Sequence, residues 1–219
     1  MLGGMRLEPL VLTGRHVRLE PLGDQHVAAL VAAANADRSS FGYTAVPNTS
    51  DAMARYVDTL LDEARRALTV PFVQVRVADG APMGCTRLMS LVWVAGRATP
   101  AECEIGGTWL AADAQRTAVN TEAKLLLLTH AFEQWEVHRV AICTDARNTR
   151  SRAAIERLGA VFEGVLRHHR LAAGHATDAG TPRDTACYSI LPAEWTAIRD
   201  RLLARLDADT DPADRAVTA

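Results

Sequence analysis

Between Glu102 and Arg167 the chain changes its hydrophobic period repeatedly, and this stretch constrains the fold more than any other. Residues 102–110 alternate as a strand. Residues 120–135 predict a helix with Leu125, Leu128, Phe132 and Trp135 on one face, widened by Leu127 and Ala131. A strand at 139–144, a helix at 149–158 ended by Gly159, and a strand at 161–167 follow. Strand–helix–strand spacing of this kind predicts parallel pairing with a right-handed crossover.

The flanks read differently. Residues 16–22 alternate with Val17 and Leu19 on one face, and Asp24 is placed to cap a helix bearing Val27, Leu30, Val31 and Ala34. Ser50 is placed to cap a second helix with Met53, Tyr56, Val57, Leu60, Leu61 and Ala64 at spacings of three and four. Strands at 72–77 and 83–94 flank the Asp79-Gly80 turn, and residues 95–100 turn into the strand at 102–110, as in an antiparallel meander. A last strand at 184–190 precedes a helix opened by Pro192, with Trp195, Ile198, Leu202 and Leu206 in register. The expectation is one α/β domain over residues 1–207, with a mixed, mostly antiparallel sheet and helices on both faces. Residues 208–219 are expected to form a disordered tail.

Composition narrows the function. The 219 residues carry 24 basic and 26 acidic side chains, a net charge of −2 that argues against a polybasic nucleic-acid binder. No apolar run approaches the roughly 20 residues of a membrane span. Arg6 and Glu8 interrupt the apolar core that a secretory leader would need, so a cytoplasmic protein is expected. Cys85, Cys103, Cys143 and Cys187 form no CxxC pair and read as small hydrophobes in a reducing compartment. His168, His169 and His175 have no further ligand at metal-binding spacing, so no metal is expected. Trp93, Trp109, Trp135 and Trp195 read as packing residues. A dinucleotide-binding fold is excluded because no GxGxxG follows a strand.

Two segments carry chemistry. In residues 113–124 a short loop leaves a strand and enters a long helix near Asn120, whose first-turn N–H groups have no partner inside the helix. With the helix dipole and Arg116 they make an anion site, although an ordinary capped helix start accounts for the same residues. In residues 144–159, Asn148 opens a helix with Ser151 three residues on. On their own these two read most simply as a helix cap and a polar first-turn residue. Arg150 and Arg152 either reach phosphates or face water.

Taken in order, the segments resemble the GNAT family of acyl-CoA-dependent N-acyltransferases, nearest to its RimJ/RimL-like branch of ribosomal-protein N-terminal acetyltransferases. The resemblance runs from His16 to Trp195. It rests on Leu19-Glu20-Pro21-Leu22, Glu104-Ile105-Gly106, residues 115–124, Asn148 with Ser151, Leu158-Gly159 and Glu163-Gly164-Val165-Leu166-Arg167. Asp184, Tyr188 and Glu194-Trp195 continue it.

The resemblance implies acetyl-CoA as co-substrate and no metal. Gln115, Arg116, Thr117, Ala118, Val119 and Asn120 would wrap its diphosphate. The strand carrying Trp109 and Leu110 would splay from its parallel neighbour to admit the pantetheine arm, with a backbone N–H near Thr108–Leu110 facing the developing oxyanion. Asn148 would touch the cofactor arm, and Ser151 would protonate the leaving thiolate. Glu104 would take the amine's proton through a water, with Glu102 on the same sheet face as its rival. Two departures stand out: Ala118 and Asn120 occupy positions where the family favours glycine, and Ile155 stands where many relatives have a tyrosine.

The chemistry also grades acceptors. At pH 7 an α-amine is roughly 10–20% neutral, whereas a lysine is about 0.04% neutral. One weak carboxylate base therefore suits an α-amine, and the implied reaction is direct transfer to a primary amine, foremost a protein N-terminus. A small-molecule or antibiotic acyltransferase and a non-catalytic acyl-CoA-binding protein are the alternatives. The C-terminal strands offer an edge for a homodimer; no membrane or nucleic-acid partner is expected.

Overall fold

Alternation and turn chemistry set the strands. The computed structural model describes residues 7, 10–173 and 178–208. The chain runs β1 (Leu12–Thr13), β2 (Val17–Pro21), α1 (Val27–Asn35), α2 (Ser50–Arg65), β3 (Thr69–Arg76), β4 (Pro82–Val92) and β5 (Glu102–Leu110). It continues through α3 (Ala118–Thr129), β6 (Arg139–Asp145), α4 (Thr149–Leu158), β7 (Val161–Leu171), β8 (Pro182–Ile190) and α5 (Pro192–Ala208). The strands form one sheet in the order β1-β2-β3-β4-β5-β6-β8-β7. Every neighbouring pair is antiparallel except β5 and β6.

Each sheet face has its own core. Leu88 and Ile105 pack with Leu127 and Leu128 of α3, Ile155 of α4 and Ile198 and Leu202 of α5. On the other face, Val73, Val75, Cys85 and Trp109 pack with Leu30 of α1 and Met53, Val57 and Leu60 of α2. Each fully buried leucine contributes about 1.5–3 kcal/mol. The mixed α/β architecture with helices on both faces matches the expectation. Residues 1–6, 8, 9 and 209–219 lie outside the described residues, as does nearly all of the expected tail.

Several local expectations change. The strand–helix–strand run from β6 through α4 to β7 does not give a neighbouring parallel pair, because β8 inserts between them and pairs antiparallel with both. The hydrogen bonds of two antiparallel neighbours replace the direct pairing that local spacing suggested. The N-terminal helices are capped one residue earlier than expected. Gly23, not Asp24, stands at the N-cap of a 3-10 turn at Asp24–His26 that leads into α1. For α2 the cap is Thr49, whose hydroxyl accepts from the Ala52 N–H at 3.3 Å. Thr49→Ala should cost about 1 kcal/mol, read as a shift in the urea midpoint at constant m.

The expected helix at 120–135 begins earlier and changes character. α3 starts at Ala118 with Thr117 as its cap, and after Thr129 it becomes a π-helix at His130–Gln134. The Trp135 N–H donates to the His130 carbonyl. That wider turn lets Ala131, Phe132 and Trp135 all enter the core, where Phe132 stacks on Trp195 with ring centroids 5.5 Å apart. At the other end, the buried Glu122 carboxylate accepts the N–H groups of Arg15 (2.8 Å), His16 (2.6 Å) and Val17 (2.8 Å). Those three bonds tie α3 to the β1–β2 turn and fix where its N-terminus points.

Candidate active site

β5 and β6 pair for only three rungs. Glu102 stands opposite Arg139, Cys103 opposite Val140 and Glu104 opposite Ala141, and beyond Glu104 no pairing continues. The strands therefore form a fork with Glu104 on its last rung. On its other side β5 stays paired with β4, through an irregularity between Cys85 and Arg87 that leaves Gly107 and Thr108 opposite Thr86. Gly107 sits there at φ 59°, a left-handed conformation that glycine adopts without strain. This bulge reorients the β5 backbone just where it leaves β6, a common use of bulges beside sites.

The α3 N-terminus stands at the foot of the fork. The positive φ in this bend falls on Arg116, at 62°, rather than on either glycine-favouring position of the family. Thr117 is extended and caps the helix, its hydroxyl accepting from the Val119 N–H at 3.3 Å. Ala118 and Asn120 are ordinary first-turn residues of α3. The donors here suit an anion of diphosphate type: unshared helix N–H groups beside the exposed Arg116. Gln115 turns back over the fork. Its amide donates to the Leu110 carbonyl at 2.8 Å and to Ser40 at 2.9 Å, while Arg150 donates to its oxygen at 2.5 Å. Arg150 is exposed, so these contacts exchange readily for contacts to a ligand.

Asn148 caps α4, its side-chain oxygen accepting from the Ser151 N–H at 3.0 Å. Ser151 is half-buried on that first turn. Ile155 is a core residue, and the phenol near α4 comes from β8 instead: Tyr188 donates to Glu156 at 2.8 Å and accepts from Arg152 at 3.0 Å. The Trp109 ring lies in the α1–α2 core, edge-on to Phe41, so at this position it is the backbone that borders the fork.

Glu104 is 4% exposed and lies on the face opposite α3. Arg170 of β7 grips both its oxygens, at 2.9 and 2.6 Å, and Ser90 donates to one at 3.3 Å. Glu102 is turned to His138 (3.1 Å) and Arg139 (3.8 Å) at the closed end of the pair. Of the two carboxylates, Glu104 therefore borders the open fork. Cys143 and Cys187 meet across β6 and β8 with their sulfurs 3.5 Å apart. Burial, then the Glu104 charge, push the Cys143 thiol up to about 12. A thiol so protonated is a poor nucleophile at neutral pH.

Sequence reasoning missed Arg170, Arg183 and the buried role of Lys124. Arg170 and Arg183 are direct cross-strand partners on β7 and β8. Lys124, the chain's single lysine, is buried under the bulge and donates to the Thr108 hydroxyl at 2.7 Å, which pairs with Thr86 at 2.8 Å. Its rarity among 23 arginines was the available signal. Among the described residues no group of three or more His, Cys, Asp and Glu is placed to hold a metal. Nor is any described helix long and apolar enough to cross a membrane. His175, the third member of the histidine cluster, lies outside the described residues.

Comparison with known proteins gives the same picture. A GCN5-related N-acetyltransferase from Brucella melitensis superposes with a TM-score of 0.80 at 28% identity, over 95% of this chain and 90% of that one. Mycobacterium smegmatis RimJ, solved with CoA-disulfide, shares the fold at a TM-score of 0.73 and 22% identity, over 90% of this chain and 95% of its own. By sequence, the Bacillus subtilis (strain 168) protein named "Putative ribosomal N-acetyltransferase YdaF" is 37% identical over 89 residues, 41% of this chain. That match spans 45% of the relative's length. The profile described as "Acetyltransferase (GNAT) domain" matches residues 16–161, about two thirds of the sequence, and with the forked strand pair above the α3 N-terminus this places the chain in the GNAT acetyltransferase family.

Proposed function

We propose that this protein transfers an acetyl group from acetyl-CoA directly to a primary amine, with a peptide N-terminal α-amine as the favoured acceptor. The observation that carries this reading is the fork opening at Glu104 with the α3 N-terminus at its foot. Residues 115–120 would hold the diphosphate, and the β5 backbone beyond the bulge would face the thioester oxygen. Bound acetyl-CoA supplies an acyl group already activated as a thioester. The amine nitrogen bonds to the acyl carbon as the carbon–sulfur bond breaks, and the amine proton passes through a water to Glu104. Arg170 holds that carboxylate in place, and an α-amine asks little of its base because much of it is already neutral. The protonated Cys143 leaves direct transfer as the simpler route.

Ser151 gives the thiolate its proton in this scheme. A thiol near pKa 8.5 leaves with modest help, so Ser151→Ala should lower kcat less than about tenfold, read by steady-state thiol release. The reading itself is tested by thiol release from acetyl-CoA over a panel of free N-terminal peptides, N-terminally blocked lysine peptides and small amines. Release with free N-termini and little with blocked peptides is expected. Preference for small amines would move the acceptor assignment, and coenzyme binding without release on any amine would make this a binding protein.

A further inference from the structure

One guanidinium on the Glu104 face of the sheet has a single, distant ion-pair partner and an Nε with none among the described residues. Glu104 of β5, Cys143 and Asp145 of β6, and Thr185 and Cys187 of β8 share the face opposite α3, and Arg183 joins them beside Arg170. The Arg183 side chain is 13% exposed. Its Nε is buried and has no hydrogen-bond partner among the described residues. Its nearest carboxylate oxygen, on Asp145, is 3.9 Å away, beyond hydrogen-bond reach.

Asp145 is committed elsewhere. It accepts from the Arg147 backbone N–H (2.9 Å), from Nε (2.9 Å) and from the guanidinium terminus (2.8 Å). Two residues along β8, the Thr185 hydroxyl is also buried and unpartnered among the described residues. Two unmet donors therefore lie on this face close to the fork. Arg170 stands directly opposite Arg183; Glu104 takes up the Arg170 charge, and the repulsion that remains between the two guanidinium groups falls on Arg183. Burial lowers the Arg183 pKa first; the Asp145 charge opposes this from 3.9 Å, and Arg170 adds to the lowering. Charges around the site sum to nearly nothing, since Glu104, Asp145 and Asp178 face Arg147, Arg170 and Arg183. A ligand is therefore recognised by local donors rather than by a broad positive field. The remaining unpartnered atom nearby, one oxygen of Asp178, belongs to a carboxylate that Arg147 already binds at 2.5 Å.

We infer that Arg183, with Arg170 opposite and Thr185 beside it, is a carboxylate subsite, so the preferred amine acceptor carries a carboxylate within a few bonds of its amine. The inference rests on the acyltransferase reading above and names the acceptor class of that same site. A planar carboxylate matches the fork of a guanidinium, and a neutral amide of the same shape does not. Supplying partners to a buried charge is worth about one to two orders of magnitude in affinity.

The test compares matched acceptors, Ser-Asp against Ser-Asn peptides and free amino acids against their amides, with the full chain and acetyl-CoA and with kcat/KM taken per neutral amine, because amidation lowers the pKa of a free amino acid's amine. Wild type should favour each acid over its amide by tenfold or more in kcat/KM, and Arg183→Gln should bring that ratio close to one. Preference within the peptide pair alone assigns the carboxylate to a peptide side chain; preference within the amino-acid pair assigns it to a small acceptor. Equal use of acid and amide by wild type overturns the subsite and leaves the acyltransferase reading intact. If no amine is acetylated, that reading fails and calorimetry on the coenzyme A-loaded protein decides the subsite. Glutarate binding that Arg183→Gln weakens at least tenfold upholds it, and glutarate binding no tighter than glutaramide overturns it. Arg183→Lys, which keeps the charge and loses the fork, should recover only part of the preference and guards against a misfolded glutamine variant.

Discussion

Glu104→Gln is expected to lower kcat by about 10²-fold or more, with much less effect on coenzyme A affinity. Glutamine keeps the shape and the packing against Ser90 but cannot take a proton. It also removes the charge that Arg170 grips with two bonds, so the part-buried Arg170 guanidinium loses its counterion. These effects separate by experiment. Loss of proton transfer lowers kcat at saturating acceptor, whereas a displaced Arg170 raises the acceptor KM. Arg170→Lys keeps the Glu104 carboxylate but replaces its two-bonded clamp by a single ammonium, so a KM rise without a matching fall in kcat isolates the second effect. A full rate in Glu104→Gln with a neutral-range α-amine would remove Glu104 from the chemistry. Glu102→Gln should change kcat little, because Glu102 faces His138 and Arg139 at the closed end of the strand pair.

The second large effect concerns stability. Lys124 lies buried beneath the β5 bulge, and burial lowers its pKa from 10.5 to about 7. Below pH 7 both the folded and the unfolded chain hold the lysine proton, and the folded state bears the full cost of a buried ammonium. Between about pH 7 and 10.5 only the unfolded chain holds it, so stability rises with pH, by about 1.4 kcal/mol per unit at most. In Lys124→Met this slope disappears, while Thr86 and Thr108 keep their mutual hydrogen bond. Urea unfolding of both proteins at pH 7 and pH 9 should show wild type gaining about 2–3 kcal/mol on the variant. A difference independent of pH would mean that the lysine stays charged and solvated. The same burial puts an amine, its hydroxyl partner and the bulge in one packed unit.

The features legible in the sequence were those set by local pattern. The strands, the two-faced placement of helices and a long helix near residue 120 follow from hydrophobic period and turn residues, whereas the splay of β5 from a parallel neighbour came only from the family resemblance. The π-turn at His130–Gln134 was not legible, because Leu125, Leu128 and Trp135 fit an uninterrupted helix and only packing against Trp195 selects the wider turn. β8 between β6 and β7 is a long-range pairing that local spacing does not encode. The bend at Arg116 was hidden because arginine carries no signature of a positive φ. Alternation in β7 breaks at His168, with φ 49°, so the face on which Arg170 emerges could not be counted from residues 161–167. Asn148 is the helix cap that the local reading of residues 144–159 expected, its side chain accepting from the Ser151 N–H.

The central claim is that the fork and the α3 turn together hold acetyl-CoA. A crystal structure of the full chain with acetyl-CoA tests it most directly. Diphosphate oxygens are expected on the N–H groups of residues 116–120, with the thioester between β5 and β6 beyond the last shared rung and Glu104 nearer than Glu102 to the acetyl group. Cofactor bound elsewhere, or β5 and β6 joined along their full length with Gln115 still seated on the Leu110 carbonyl, would contradict it.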